Sequence, residues 1–175
     1  MHVIRVTALA ASAVLLLSGC IQSATPDPSA APAKPKDFCH AMTSAAELAK
    51  PAATGLDTLF TTIDDMAAGS KEGDIANLHT VGETSTAASE AYAAALGTAA
   101  SMAPTTLSAD ITALQEYWTL YAVGLGQIAQ DAPNYGNLVD QTAALSGSEQ
   151  ASALIQEQPS VQKRINAGYL AECAG

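Results

Sequence analysis

Metal or haem ligation is the chemistry that His40 and His79 could do, since a neutral imidazole is a common metal ligand. The two lie far apart in the chain. Neither belongs to an H-x₃-H or H-E-x-x-H pattern that would set paired donors on one helix face. Surface or capping roles are therefore expected for both. Asp64, Asp65, Glu72 and Asp74 gather around Gly69 and Gly73, and clustered carboxylates suit a hard cation such as calcium. The D-x-D-x-D-G order of a calcium loop is missing, and Asp74 fits better as a residue favouring the start of the next helix. No metal site is expected.

Tyr117, Trp118 and Tyr121 form an aromatic group. At helical spacing Trp118 and Tyr121 fall on an apolar stripe and are expected in the core. Tyr117 lies off it and, with Tyr135 and Asn137 of the "PNYGN" segment, forms a candidate contact face. Catalytic patterns are missing. The chain has no G-x-S-x-G and no glycine-rich phosphate loop, and the adjacent Asp64 and Asp65 point different ways on a helix. The expectation is a protein that is not an enzyme and uses no cofactor.

The opening residues say where such a protein would work. After Arg5 comes an uncharged run from Val6 to Leu17, dominated by Ala, Val and Leu. As a helix it would cover about 18 Å, too short for a bilayer core of about 30 Å. A basic start, a short apolar middle and small residues at its end describe a secretory signal. The run closes on Leu17-Ser18-Gly19-Cys20, which resembles the lipobox of bacterial lipoproteins: Leu at −3, small residues at −2 and −1, Cys at +1. The resemblance covers only this segment. It implies that residues 1–19 are a signal peptide and that Cys20 carries a diacylglycerol thioether and becomes the new N-terminus. Two acyl chains (palmitate or similar) hold a protein stably on a bilayer, whereas one is marginal. The expected location is the extracytoplasmic side of the cell membrane. An ordinary cleaved signal would instead leave Cys20 as a spare thiol or a disulfide partner.

With Cys20 acylated, Cys39 and Cys173 remain, an even number in an oxidising compartment, and a disulfide between them is expected. It would close a loop of about 135 residues. Unpaired thiols or a metal pair are the alternative, but C-x₂-C spacing, the usual mark of zinc, is missing.

Seven basic and 17 acidic residues give a net charge of −10, and loss of Arg5 with the signal takes it to −11. Such a surface is a poor match for nucleic acid or anionic head groups, which need clustered Lys and Arg. The lipid, not a basic patch, would hold the chain to the membrane. The mature region is rich in Ala and Thr and poor in Lys, a composition that resembles exported proteins of high-GC Gram-positive bacteria.

Positioning of these residues falls to three segments. Residues 20–36, with "IQSATPDPSAAPAKPK" after the lipidated Cys, are expected to form a disordered tether reaching at most ~50 Å. Residues 37–175 are expected to form one all-α domain, because apolar residues recur at helical and not strand spacing. The first series runs Phe38, Met42, Ala45, Ala49, Ala52, Leu56, Leu59, Ile63, Met66, with Pro51 inside it as a bend or a break. The second runs Ile75, Leu78, Val81, Ser85, Ala88, Tyr92, Ala95, Ala99. The third runs Leu107, Ile111, Leu114, Trp118, Tyr121, Leu125, Ile128. A less regular fourth region holds a short helix marked by Leu138 and Leu145, a cap at Ser148, and a last helix opened by Pro159.

Short connections imply an up-down-up-down four-helix bundle, which brings Cys39 and Cys173 to the same end. The expected role is a lipid-anchored binding or scaffolding domain that meets a protein or envelope partner through an acidic helix face. The alternative is a carrier for haem or a metal, using His40, His79 or tyrosines.

Overall fold

The protein is described by a computed structural model covering residues 37–69 and 75–173. The expected signal peptide, Cys20, the expected tether, Glu72, Gly73 and Asp74 lie outside the described residues. Among those described, every regular element is helical: α1 (Phe38–Gly69), α2 (Ile75–Met102), α3 (Thr105–Tyr117), a π-helical turn (Trp118–Ala122), α4 (Val123–Asp131), α5 (Tyr135–Gly147) and α6 (Glu149–Cys173). None of the described helices is long and apolar enough to cross a membrane.

The first apolar series needs no correction in register. Phe38, Met42, Ala45, Ala52, Leu56, Leu59 and Met66 are all buried, and Ala49 and Ile63 pack partly buried against them. The helix runs through Pro51. A proline there has no N–H to donate, so the Glu47 carbonyl loses its usual intrahelical donor. Asp37 starts α1 by accepting the His40 backbone N–H at 3.0 Å.

Helix α2 is the centre of the fold, with α1 packed along one side and α3–α4 along the other. Its buried residues therefore occupy two faces: Leu78, Gly82, Ser85, Thr86, Ser89, Tyr92, Ala93, Leu96 and Ala99. Ile75, Val81, Ala88 and Ala95, expected on its seam, are only partly buried. A single-stripe reading misses this because it assumes one packed face, whereas a central helix has two.

Neighbouring helices run antiparallel. Gly55 of α1 faces Ser85 of α2, and with only residues 70–74 between them two long helices in contact along their lengths must run in opposite senses. On the other side of α2, Gly82 meets Gly126, Ala129 and Gln130. At that crossing a Cβ on Gly82 would lie 2.8 Å from the Gly126 carbonyl oxygen, so only glycine lets the two backbones come so near.

The third series forms one uninterrupted run, α3, π turn and α4. In the π turn the Val123 N–H donates to the Trp118 carbonyl, five residues back. The extra residue moves the seam along by one. Before it Leu107, Ile111, Leu114 and Trp118 are buried; after it Ala122, Leu125, Gly126, Ala129 and Ala132 are buried. Tyr121 and Ile128, expected in the core, are left half-buried, and small residues replace them against α2.

The fourth region departs from expectation at one point. Pro159 lies inside α6, which begins ten residues earlier at Glu149. Ser148 opens that helix, its Oγ accepting the Ala151 N–H at 3.3 Å, which the sequence had indicated. Pro159 has no N–H for the Ile155 carbonyl, and Ile155 is only partly buried, so the freed carbonyl lies near solvent. Helix α6 packs chiefly on α3, where Leu107 fills the space over Gly168. Arg164 grips Asp110 of α3 with two nitrogens, Nη2 at 2.7 Å and Nε at 3.0 Å.

Candidate functional site

Two places carry most of the residues singled out above, and the structure adds a third. The first is the end of the helical body where Cys39 and Cys173 are joined, with their Cα atoms 5.7 Å apart. Cys39 sits in the first turn of α1 and Cys173 closes α6, so the bridge ties the two chain-terminal helices directly. Nearby, the Thr43 and Tyr169 hydroxyls are 3.4 Å apart. His40 is exposed here, its Nδ1 2.9 Å from Asp37 Oδ1. Hydrogen bonds from the His40 backbone N–H and then its ring hold the Asp37 carboxyl below the usual carboxylate range.

His79 is elsewhere. It lies one turn into α2, its Nε2 2.9 Å from the Ala132 carbonyl oxygen at the end of α4. Because α1 and α2 are antiparallel and meet at Gly55 and Ser85, His40 and His79 stand ~30 Å apart along the helix axes. One metal ion or one haem iron cannot take both. No group of three or more His, Cys, Asp or Glu among the described residues converges on a metal position.

The second place is the aromatic group around the π turn. Trp118 is buried, and its ring meets Tyr92 of α2 edge-on, centroids 5.0 Å apart. Tyr117 meets Trp118 edge-on, centroids 5.8 Å apart, and lies tilted against Tyr121 at 5.6 Å. Burial pushes the Tyr92 hydroxyl up to about 12, and burial followed by the neighbouring Tyr121 does the same for Tyr117. Both groups thus favour the neutral phenol.

This makes an alkaline prediction. The unfolded chain loses these protons near the ordinary value of 10.0 and the folded chain near 12, so between them the unfolded state binds fewer protons. Stability therefore falls as pH rises through that window, by ~2 kcal/mol for each ring at its upper end. A phenolate absorbance titration of the folded protein should show a late component near pH 12 that shrinks in Tyr92→Phe and again in Tyr117→Phe. Complete ionisation of all tyrosines by pH 11 in the folded state would contradict it.

Among the described residues neither a ring contact nor a hydrogen bond joins Tyr135 or Asn137 to Tyr117. Tyr135 opens α5 and packs partly buried against the core. Asn137 donates its N–H to Asn134 Oδ1 at 2.9 Å, and its own Oδ1 accepts from Gln141 Nε2 at 2.6 Å. That side chain is engaged in building the helix start. The ring contacts of Tyr117 among the described residues are with Trp118 and Tyr121.

The third place had no sequence signal. A groove of about 420 Å³ runs along the outside of the α1–α2 seam, lined by Lys50, Pro51, Thr54, Gly55, Thr58, Thr80, Val81, Thr84 and Ala88. Four threonines suggest a polar surface, yet three of their hydroxyls are bonded back to their own helices. Thr58 donates to the Thr54 carbonyl at 2.8 Å, Thr80 to Ala76 at 3.1 Å and Thr84 to Thr80 at 3.0 Å. A hydroxyl bonded back to its own helix leaves the methyl facing outward. The groove is therefore almost wholly apolar, with one ammonium at its rim. Helical periodicity could not reveal it, because its two walls come from different helices.

Compared with known protein families, with characterised proteins and with solved structures, the chain matches none.

Proposed function

We propose that this chain is a lipid-anchored, extracytoplasmic binding or scaffolding domain, not an enzyme, held to the cell membrane through Cys20. The observation that carries the reading is the Cys39–Cys173 bridge. Disulfides persist in oxidising compartments, and this one uses the two cysteines that a lipidated Cys20 leaves over. The lipobox-like Leu17-Ser18-Gly19-Cys20 then accounts for the third thiol, and the proline-rich residues 21–36 provide the spacer. The arrangement proposed for the domain is up-down-up-down, with α5 and α6 together as the fourth column. The antiparallel pairings of Gly55 with Ser85, Gly82 with Gly126 and Asp110 with Arg164 support it.

The partner is a protein or envelope component, met through the acidic outer face of α1, where Glu47, Asp57, Asp64 and Asp65 are exposed. The excess of carboxylates makes nucleic acid a poor partner. A haem or metal carrier remains the second reading only in a form that uses one histidine, since the two are held far apart.

Growth of the producing organism with radiolabelled palmitate tests the anchor. Label is expected on the wild-type chain and lost in Cys20→Ser, with the variant shifting from the membrane fraction to the medium. Unlabelled wild-type protein, found wholly in the medium, would overturn the reading.

A further inference from the structure

The α1–α2 groove is an open apolar trough, and its chemistry narrows the class of ligand it can take. Its walls present threonine methyls, the Pro51 ring, Val81 and Ala88, with no carboxylate among the lining residues. From Lys50 to Thr58 it extends ~12 Å along α1. Its volume of about 420 Å³ falls in the range of small-molecule sites.

Lys50 decides the sign of the occupant. It is the one charged residue of the lining, and it is exposed. The ion pairs among the described residues join Asp37 to His40 and Asp110 to Arg164, so no described carboxylate is paired with Lys50. In a chain of 17 acids and seven bases, an apolar trough whose charged lining residue is a cation favours an anion. Its four-carbon stem can lie along the trough while the ammonium stays in water.

The geometry points to a single-chain anionic amphiphile of the fatty-acid type, its hydrocarbon tail along the seam from Pro51 to Thr58 and its carboxylate against Lys50 Nζ. The assignment goes beyond the membrane-anchor reading and does not depend on it. Tail burial supplies most of the affinity, and the ammonium sets the orientation and the preference for an anion.

The test uses the full chain carrying Cys20→Ser, so that no acyl group of its own competes, titrated with dodecanoate below its micellar concentration. Threonine-methyl NMR is expected to show saturable shifts at Thr54, Thr58, Thr80 and Thr84. Decanoate should bind about fivefold more weakly, as expected for two fewer partly buried methylenes. Lys50→Met, on the surface and keeping an apolar stem, should weaken dodecanoate about fivefold while leaving neutral dodecanol unchanged. Ala88→Phe, which fills the trough, should abolish binding of both with helicity retained. Absence of saturable binding, shifts confined to other threonines, or equal dodecanoate affinity in Lys50→Met would each overturn the assignment.

Discussion

Replacing Cys39 and Cys173 together by serine is expected to lower the unfolding free energy by about 4 kcal/mol. The bridge closes a loop with a sequence separation of 134, for which the loss of chain entropy in the unfolded state is worth about 5 kcal/mol at most. Domains of this size hold ~5–15 kcal/mol in total, so the loss removes a large share. The core gives little to offset it. Ala41, Ala45, Ala52, Ala93, Ala99, Ala122, Ala129, Ala132 and Ala151 are among its buried residues, and each hides little apolar area. Helix α6 touches α1 sparingly, near the bridge itself, so nothing else ties the last helix to the first as firmly. Urea unfolding should show the midpoint falling sharply. The slope should rise, because an uncrosslinked unfolded chain exposes more surface. An unchanged midpoint would mean that the α3–α6 contacts alone hold the terminal helix.

Gly82→Val is expected to cost ~3 kcal/mol and lower the melting temperature by ~10 °C, despite a better helix former replacing glycine. A Cβ at this position would lie 2.8 Å from the Gly126 carbonyl oxygen, 3.0 Å from Ala129 Cβ and 3.0 Å from the Gln130 nitrogen. Two of those three are backbone atoms and cannot rotate aside, so α4 must move away from α2 as a body. That movement breaks the bond from Gln130 Nε2 to Thr86 Oγ1 at 2.7 Å and the contact of His79 with Ala132 at 2.9 Å. It also opens a gap along a seam of small residues that have no longer side chains to fill it. Gly147→Ala is the control. Nothing lies within 4 Å of a Cβ there and its φ is negative, so the change should be neutral or stabilising by a few tenths of a kcal/mol. Equal losses for the two variants would show that glycine acts through backbone freedom and not through the crossing.

These two sites differ in how they could be foreseen. The Cys39–Cys173 pair was legible because it depends on counting: a third thiol assigned to a lipobox-like motif leaves two, at the two ends of a helical region. The close crossing of Gly82 and Gly126 was not. Glycine in a helical series marks only a weak position until a partner is known, and the partner comes from a helix more than forty residues later.

The π turn at Trp118–Ala122 decided that crossing. Regular spacing carries the third stripe through Tyr121 and Ile128. One added residue sends it through Ala122, Gly126 and Ala129, and only those let α4 reach the backbone of α2. The candidate contact face likewise has neighbours that periodicity does not show. Tyr117 is drawn to Trp118 and Tyr121, while Asn137 is taken up by the start of α5.

By itself the amino-acid order determined the helical class, the register of α1 from Phe38 to Met66, the cap at Ser148 and the bridged pair of cysteines. Each of these rests on interactions within a few residues or on a composition that admits one pairing. Tertiary structure alone decided that α2 is packed on two faces, that Pro159 is carried inside α6, and that the walls of an apolar trough meet beside Lys50. Those features depend on which surfaces face each other across helices, and periodicity within one segment carries no term for the neighbour.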